Sequence, residues 1–161
     1  MNTLLSLISL STYFLILSTS FGQQAKQIVT LSNPPTVATP RGYSHLAEID
    51  LGTAKMVLIA GQVGLDVQGN VVGKGDPKAQ FEQIFRNLQA LVTAAGGKME
   101  DLVKLTVYFR DMSHVQLFRD VRDQYVNHQH PPTSTAVEVS KLFRDDILAE
   151  VEATAIIPKG K

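Results

Sequence analysis

Apolar residues at 81, 84, 85, 88, 92 and 95 recur at intervals of three and four, the period of one helix face. Asp76-Pro77 precedes this stripe and Gly96-Gly97 follows it. Asp is a favourable N-cap, Pro suits the first helical position because its missing N–H is not needed there, and Gly permits the left-handed stop. The period then changes. Val103, Leu105, Val107 and Phe109 alternate with Lys104, Thr106 and Tyr108, which predicts a half-buried strand with one wholly apolar face. Ser113 and Gln116 have the spacing of a capping box, so a second helix is expected to turn Val115, Phe118, Val121 and Tyr125 to the core. Upstream, apolar segments at 45–50 and 55–60 flank Leu51-Gly52-Thr53-Ala54 and read as a hairpin. Residues 23–41 form a polar lead-in with Pro34, Pro35 and Pro40, holding one short strand at 27–31. Residues 61–75 form a glycine-rich loop with room for a short strand at 70–72. Residues 128–133, with Pro131-Pro132, form another loop, and strands at 134–139 and 148–157 close the chain.

The order ββαβαββ predicts an α+β fold, a sheet with two helices on one face. In the last strand Ala149, Val151, Ala153 and Ala155 are small and apolar, and Glu150, Glu152 and Thr154 point the other way. Tyr108 and Glu138 are expected on that second face, which suits water or a subunit interface lined by carboxylates.

Composition narrows the chemistry. Lys plus Arg and Asp plus Glu each number 15, so neutrality gives no reason to expect nucleic acid or an acidic membrane surface as a partner. Cysteine is absent, which excludes thiol catalysis, disulfides and thiolate metal sites. Residues 1–22 carry no Asp, Glu, Lys or Arg, contain a 14-residue, mostly apolar run (4–17), and end in Ser20-Phe21-Gly22, with small residues at −3 and −1 of a cleavage site. This is the layout of a secretory signal, and the run is short for a membrane span, which needs ~20 apolar residues. The expected organisation is a signal peptide at 1–22, the lead-in at 23–41 and one domain at 42–161, exported to a periplasm or secreted, with no stable membrane span after cleavage.

The motifs, in order, resemble the RidA/YjgF family. They are Gly42-Tyr43-Ser44-His45, Ala60-Gly61-Gln62-Val63-Gly64, Ala79-Gln80 with Asn87-Leu88 and Ala94-Ala95-Gly96, residues 103–108 with Asp111-Met112, residues 132–139, and Glu150-Val151-Glu152-Ala153. The resemblance spans about residues 25–157. It implies a chorismate-mutase-like subunit, a homotrimer with small-molecule clefts between neighbours, and cofactor-free, metal-free hydrolysis of 2-imino acids and their enamines to 2-oxo acids and ammonia, a reaction that protects pyridoxal-phosphate enzymes. By the same resemblance Tyr43 is the pocket tyrosine, the Gly61 backbone meets the substrate nitrogen, and Glu150 positions the attacking water. Ser134 stands where the family's deaminases carry a substrate-clamping arginine, Ala136 where a cysteine is common, and Arg119 where many have an asparagine. A guanidinium grips a carboxylate with two parallel charge-assisted bonds and a serine offers one neutral donor. Arg119 or Arg41 is a candidate substitute.

Each residue also has a plainer reading. Glu150 and Glu152 are a water-ordering pair or solvated interface carboxylates. Tyr43 caps a pocket or is an interface aromatic. Gly61 and Gly64 admit a ligand to the backbone, serve a turn at positive φ, or both. Gly69-Asn70 and the Gly73/Gly75 pair match no phosphate-loop pattern. His128 and His130 have no nearby acid or thiol to complete a metal site, and Ser134 has no recognisable base beside it. Two functions stay open: a deaminase of small imines and enamines that prefers substrates without a carboxylate or acts slowly on imino acids, or a non-catalytic trimer with the same cleft that binds a small carbonyl or aromatic ligand or acts as a holdase.

Overall fold

The computed structural model describes residues 27–160. The expected signal peptide lies outside the described residues. Eight elements follow in order: β1 (Val29–Ser32), β2 (Leu46–Asp50), β3 (Ala54–Gln62), α1 (Pro77–Ala94), β4 (Leu102–Phe109), α2 (Val115–Arg122), β5 (Thr133–Glu138) and β6 (Ala149–Pro158). The six strands form one sheet in the order β1-β2-β3-β6-β4-β5. The last strand thus enters the middle, antiparallel to both β3 and β4. This leaves β3 and β4 parallel with α1 as their crossover, and α2 joins β4 to its parallel neighbour β5. The short strand of the lead-in is β1, which pairs with β2 at one edge.

α1 begins as its sequence predicts, with Asp76 accepting from the Ala79 N–H at 3.2 Å and Pro77 next to it. It ends where Gly96 turns to φ +79°. Phe81, Ile84, Phe85, Leu88, Leu91 and Val92 are fully buried. Phe118 of α2 joins them through Phe81, Phe85 and Phe109, with ring centroids 5.2–5.4 Å away. The pairs with Phe81 and Phe109 are edge-to-face and that with Phe85 is tilted; edge-to-face pairs add ~0.5–1.5 kcal/mol each beyond burial. Leu105, Val107 and Phe109 of β4, with Ala149, Val151, Ala153 and Ala155 of β6, complete this layer.

Several expectations are corrected. Val103 is 42% exposed, because the β4–β6 register shifts there and Leu102 takes the inward position. The Ser113/Gln116 capping box does not form. The charged Asp111 captures the Ser113 N–H at 2.8 Å, a 3₁₀ turn (Met112–His114) follows, and Gln116 bonds Asp120 instead. Glu138 is on the helix side of the sheet. It pairs with Phe109 in the ladder and accepts from the Met112 N–H at 2.8 Å. At 70–72 there is a single bridge, between Leu65 and Val71.

Candidate active site

Alternation along β6 puts Glu150 on the open sheet face, paired with Tyr108 of β4 and with Glu152 two residues on. On its other side β3 bulges. Ile59 pairs with Ala153 and Gln62 with Val151, so Ala60 and Gly61 together face a single residue of β6. A bulge re-aims the backbone beside it. Here it brings Gly61 directly under the Glu150 carboxylate, and a Cβ at Gly61 would collide with Glu150 Oε1, Cδ and Cγ. The positive-φ reading of Gly61 and Gly64 is therefore overturned, since neither has positive φ. Gly61 makes room for Glu150, and Gly64 makes room for Gln80 of α1.

Buried amides hold this bulge. Gln62 donates from Nε2 to Ala60 O at 2.8 Å and lies 3.3 Å from His45 Nδ1, while His45 Nε2 is 2.8 Å from Ala38 O. The network assigns the hydrogen to Nε2 of His45 and leaves Nδ1 as acceptor. Tyr43 packs edge-on against the His45 ring with centroids 5.3 Å apart, and stays 52% exposed. It is close enough to Glu150 to feel its charge. Burial and then the Glu150 charge raise the Tyr43 pKa. Burial first, and the neighbouring Glu152 second, raise the pKa of Glu150 above the ordinary carboxylate value. Tyr43 is thus a neutral hydroxyl donor, and Glu150 a carboxylate whose affinity for a proton is enhanced.

Sequence reasoning passed over two residues that position these groups. Gln80, fully buried in α1, donates to Asp146 O at 2.8 Å and accepts from the Leu148 N–H at 3.0 Å, fixing the chain as it enters β6. Asn87 donates to Val63 O and Leu65 O at 3.1 and 3.0 Å, fixing the chain as it leaves β3. Both stand inside motifs quoted above. Their signal was an amide at a core position of an otherwise apolar stripe, where burial requires partners. Gln80→Leu orphans a backbone N–H and a carbonyl. It is expected to lower unfolding stability by about 1–3 kcal/mol, read from urea melts. A loss under about 0.5 kcal/mol would remove Gln80 from this role.

The remaining candidates lie elsewhere. Ser134 and Ala136 pair with Leu105 and Val107, which face the helices, so they share the helix side of the sheet. They line a cleft of about 240 Å³ between β5 and α2, with Val107, Phe109 and Phe118 also lining it, and with Arg119 and Arg122. Arg41 lines a different cleft of about 660 Å³ with Tyr43, Phe143 and Arg144. One protomer therefore sets Gly61 and Glu150 together on the open face, with Tyr43 within range of the Glu150 charge, and Ser134, Ala136 and Arg119 at the β5 edge on the other. His128 and His130 are exposed, and among the described residues no three His, Asp or Glu side chains converge on a metal position.

The molecule is a small α+β protein whose open sheet face carries a carboxylate seated on a glycine bulge. It belongs to the RidA/YjgF family: the Endoribonuclease L-PSP family model matches residues 35–157. A RutC family protein of Pyrococcus horikoshii is 34% identical over 130 residues, covering 81% of this chain and 97% of that one. A 2-iminobutanoate/2-iminopropanoate deaminase of Salmonella typhimurium is 31% identical over 134 residues, covering 82% and 98%. Among solved structures, RidA from an Antarctic Psychrobacter matches with TM-score 0.68 at 28% identity, covering 82% of this chain and all of the other. E. coli TdcF with bound serine matches with TM-score 0.67 at 27% identity, covering 79% and 98%.

Proposed function

We propose that this protein is a cofactor-free deaminase that hydrolyses small imines and enamines to carbonyl compounds and ammonia. The observation that carries the reading is the Glu150 carboxylate held over Gly61, with its charge reaching Tyr43. The Salmonella relative, named for this reaction, supports it.

The chemistry follows from the groups present. Water held by Glu150 attacks the imine carbon while the carboxylate takes a water proton. A new C–O bond forms and the C=N π pair moves to nitrogen. The protonated Glu150 returns its proton to that nitrogen, giving a neutral carbinolamine. Glu150 then takes the new hydroxyl's proton and passes it to the nitrogen as the C–N bond breaks, so that ammonia leaves and the carbonyl forms. A base with raised proton affinity suits a step in which the same group must accept and then donate near neutral pH. Tyr43 donates a hydrogen bond to the substrate, and the Gly61 backbone lies close enough to meet its nitrogen.

The division of candidate residues between two regions of one protomer supports a site shared between copies. In a homotrimer of the RidA/YjgF kind, the β5 edge of one subunit closes over the Glu150 face of the next. That face presents Leu58 and Val137, 42% and 40% exposed. Residues 1–22 act as an export signal in this reading.

The test generates 2-iminobutanoate in situ with an amino-acid oxidase and traps it with semicarbazide. Semicarbazone formation is expected to fall in proportion to added protein. If protein at high concentration leaves the trapping rate unchanged for several imines, the deaminase reading fails. A non-catalytic binder of carbonyl ligands, which Ser134 in place of an arginine favours, would then take its place.

A further inference from the structure

Residues 33–44 connect β1 to β2 and carry Tyr43. Pro34, Pro35 and Pro40 take backbone donors out of this segment, so no regular ladder holds it. Val37 anchors it in the core. Among the described residues, the hydrogen bonds that fasten it to its surroundings end on His45. The His45 backbone N–H donates to Asn33 Oδ1 at 2.8 Å, and the ring Nε2–H donates to Ala38 O at 2.8 Å. The Tyr43 side chain makes no hydrogen bond of its own among those residues, and its ring contact is with His45.

The same residue holds the β3 bulge. The His45 carbonyl accepts from the Ala60 N–H at 3.0 Å. Its Nδ1 lies 3.3 Å from Gln62 Nε2, which also donates to Ala60 O and Gly61 O at 2.8 and 3.3 Å. Gly61 in turn seats Glu150. His45 is 3% exposed, so water does not stand in for a lost partner. A neutral imidazole carries one N–H and one lone pair at fixed positions on a rigid ring. Here the donor faces the segment that bears Tyr43 and the acceptor faces the bulge. The shorter amide of Asn and the longer one of Gln each reach one of these partners and not both.

We infer that His45 is a positioning residue that fixes Tyr43 relative to Glu150, clasping the segment that carries one and the bulge that seats the other. Being buried, it acts through these neighbours rather than on a substrate. The inference rests on the deaminase reading only for its effect on catalysis. The spacing of the two groups is a property of the fold and is measured without any substrate.

The test follows the titration of Tyr43 by NMR of the purified protein labelled with ¹³C-tyrosine, its signal assigned with Tyr43→Phe. Burial and then the Glu150 charge raise the pKa of this phenol, so Glu150→Gln is expected to lower it in the otherwise wild-type protein. In a His45→Ala background the same substitution should leave Tyr43 unmoved. His45→Gln, which keeps a donor for Ala38 O, should recover part of the response. His45→Asn keeps an acceptor for Gln62 but does not reach Ala38, so it should lose the response as alanine does, and it takes the place of alanine if that variant does not fold. Where the protein deaminates 2-iminobutanoate, His45→Ala or His45→Asn should lower kcat by about 10²-fold, the cost of misplacing reacting groups by about 1 Å, with the loss in kcat rather than in KM. No response of Tyr43 to Glu150→Gln in the wild type, a full response in His45→Ala or His45→Asn, or equal loss in His45→Gln would each overturn the inference. The two readings fail separately. A protein that shows the His45-dependent response but no semicarbazide activity loses only the deaminase reading. One that deaminates with undiminished kcat after His45→Asn loses only this inference.

Discussion

Glu150→Gln is expected to abolish deamination and, at neutral pH, to make the protein more stable. The amide cannot take a proton from water, and removing a general base costs about 10²–10⁴-fold in rate. The stability gain follows from the raised pKa of Glu150, caused by burial and then by Glu152. A group that binds its proton more tightly in the fold favours the fold fully below its unfolded pKa. That advantage is lost as pH rises through the higher folded value. At pH 7 the wild type therefore carries a half-buried carboxylate at a cost that glutamine avoids. Tm measured from pH 4 to 8 should show Glu150→Gln ahead at the alkaline end, the gap closing toward pH 4. The rate profile carries the same signature from the other side. Log kcat/KM of the wild type should fall with unit slope on the acid limb, with an apparent pKa above that of an ordinary carboxylate. A Glu150→Gln variant that keeps wild-type kcat/KM would remove the central residue of the mechanism.

Gly61→Ala should cost nearly as much activity by a different route. The added methyl occupies space held by Glu150 Oε1 and lies 2.7 and 2.8 Å from Cδ and Cγ, so the carboxylate must swing away. Misplacing a reacting group by about 1 Å can cost about 10²-fold. The backbone is not the obstacle, because Gly61 has no positive φ to preserve. Because the atoms displaced are the flexible end of one partly exposed side chain, the stability cost should stay small beside the loss of activity. Combining the two substitutions separates displacement from other damage. If the methyl acts by moving Glu150, Gly61→Ala in the Glu150→Gln background should lower activity little further, a non-additivity expected of residues in contact. Full activity in Gly61→Ala would show that the seat of the carboxylate does not matter.

Much of this was legible along the chain. The stripe from Phe81 to Val92, with Asp76, Pro77 and Gly96 at its ends, defined α1, because local capping and periodicity carry helix limits in a few neighbouring residues. The small apolar residues of β6 alternating with Glu150 and Glu152 showed which side of the last strand meets the helices. Motif order identified the family, and with it Tyr43, Gly61 and Glu150 as candidates.

What the tertiary structure alone decided concerns places where distant segments compete or meet. Strand registers are set by pairing across the sheet, so the bulge that turns Val103 outward and the one that brings Gly61 beneath Glu150 leave no trace in alternation. Asp111 displaced Ser113 as the cap because a charged acceptor two residues upstream offered the better bond. Gln80 and Asn87 have no role assigned along the chain, because the segments they secure, out of β3 and into β6, come within reach only in the fold. The separation of Glu150 from Ser134, Ala136 and Arg119 depends on β6 entering between β3 and β4 while β5 stays at the edge. Periodicity specifies which face of each strand is buried. Strand order is fixed by how all the elements pack at once.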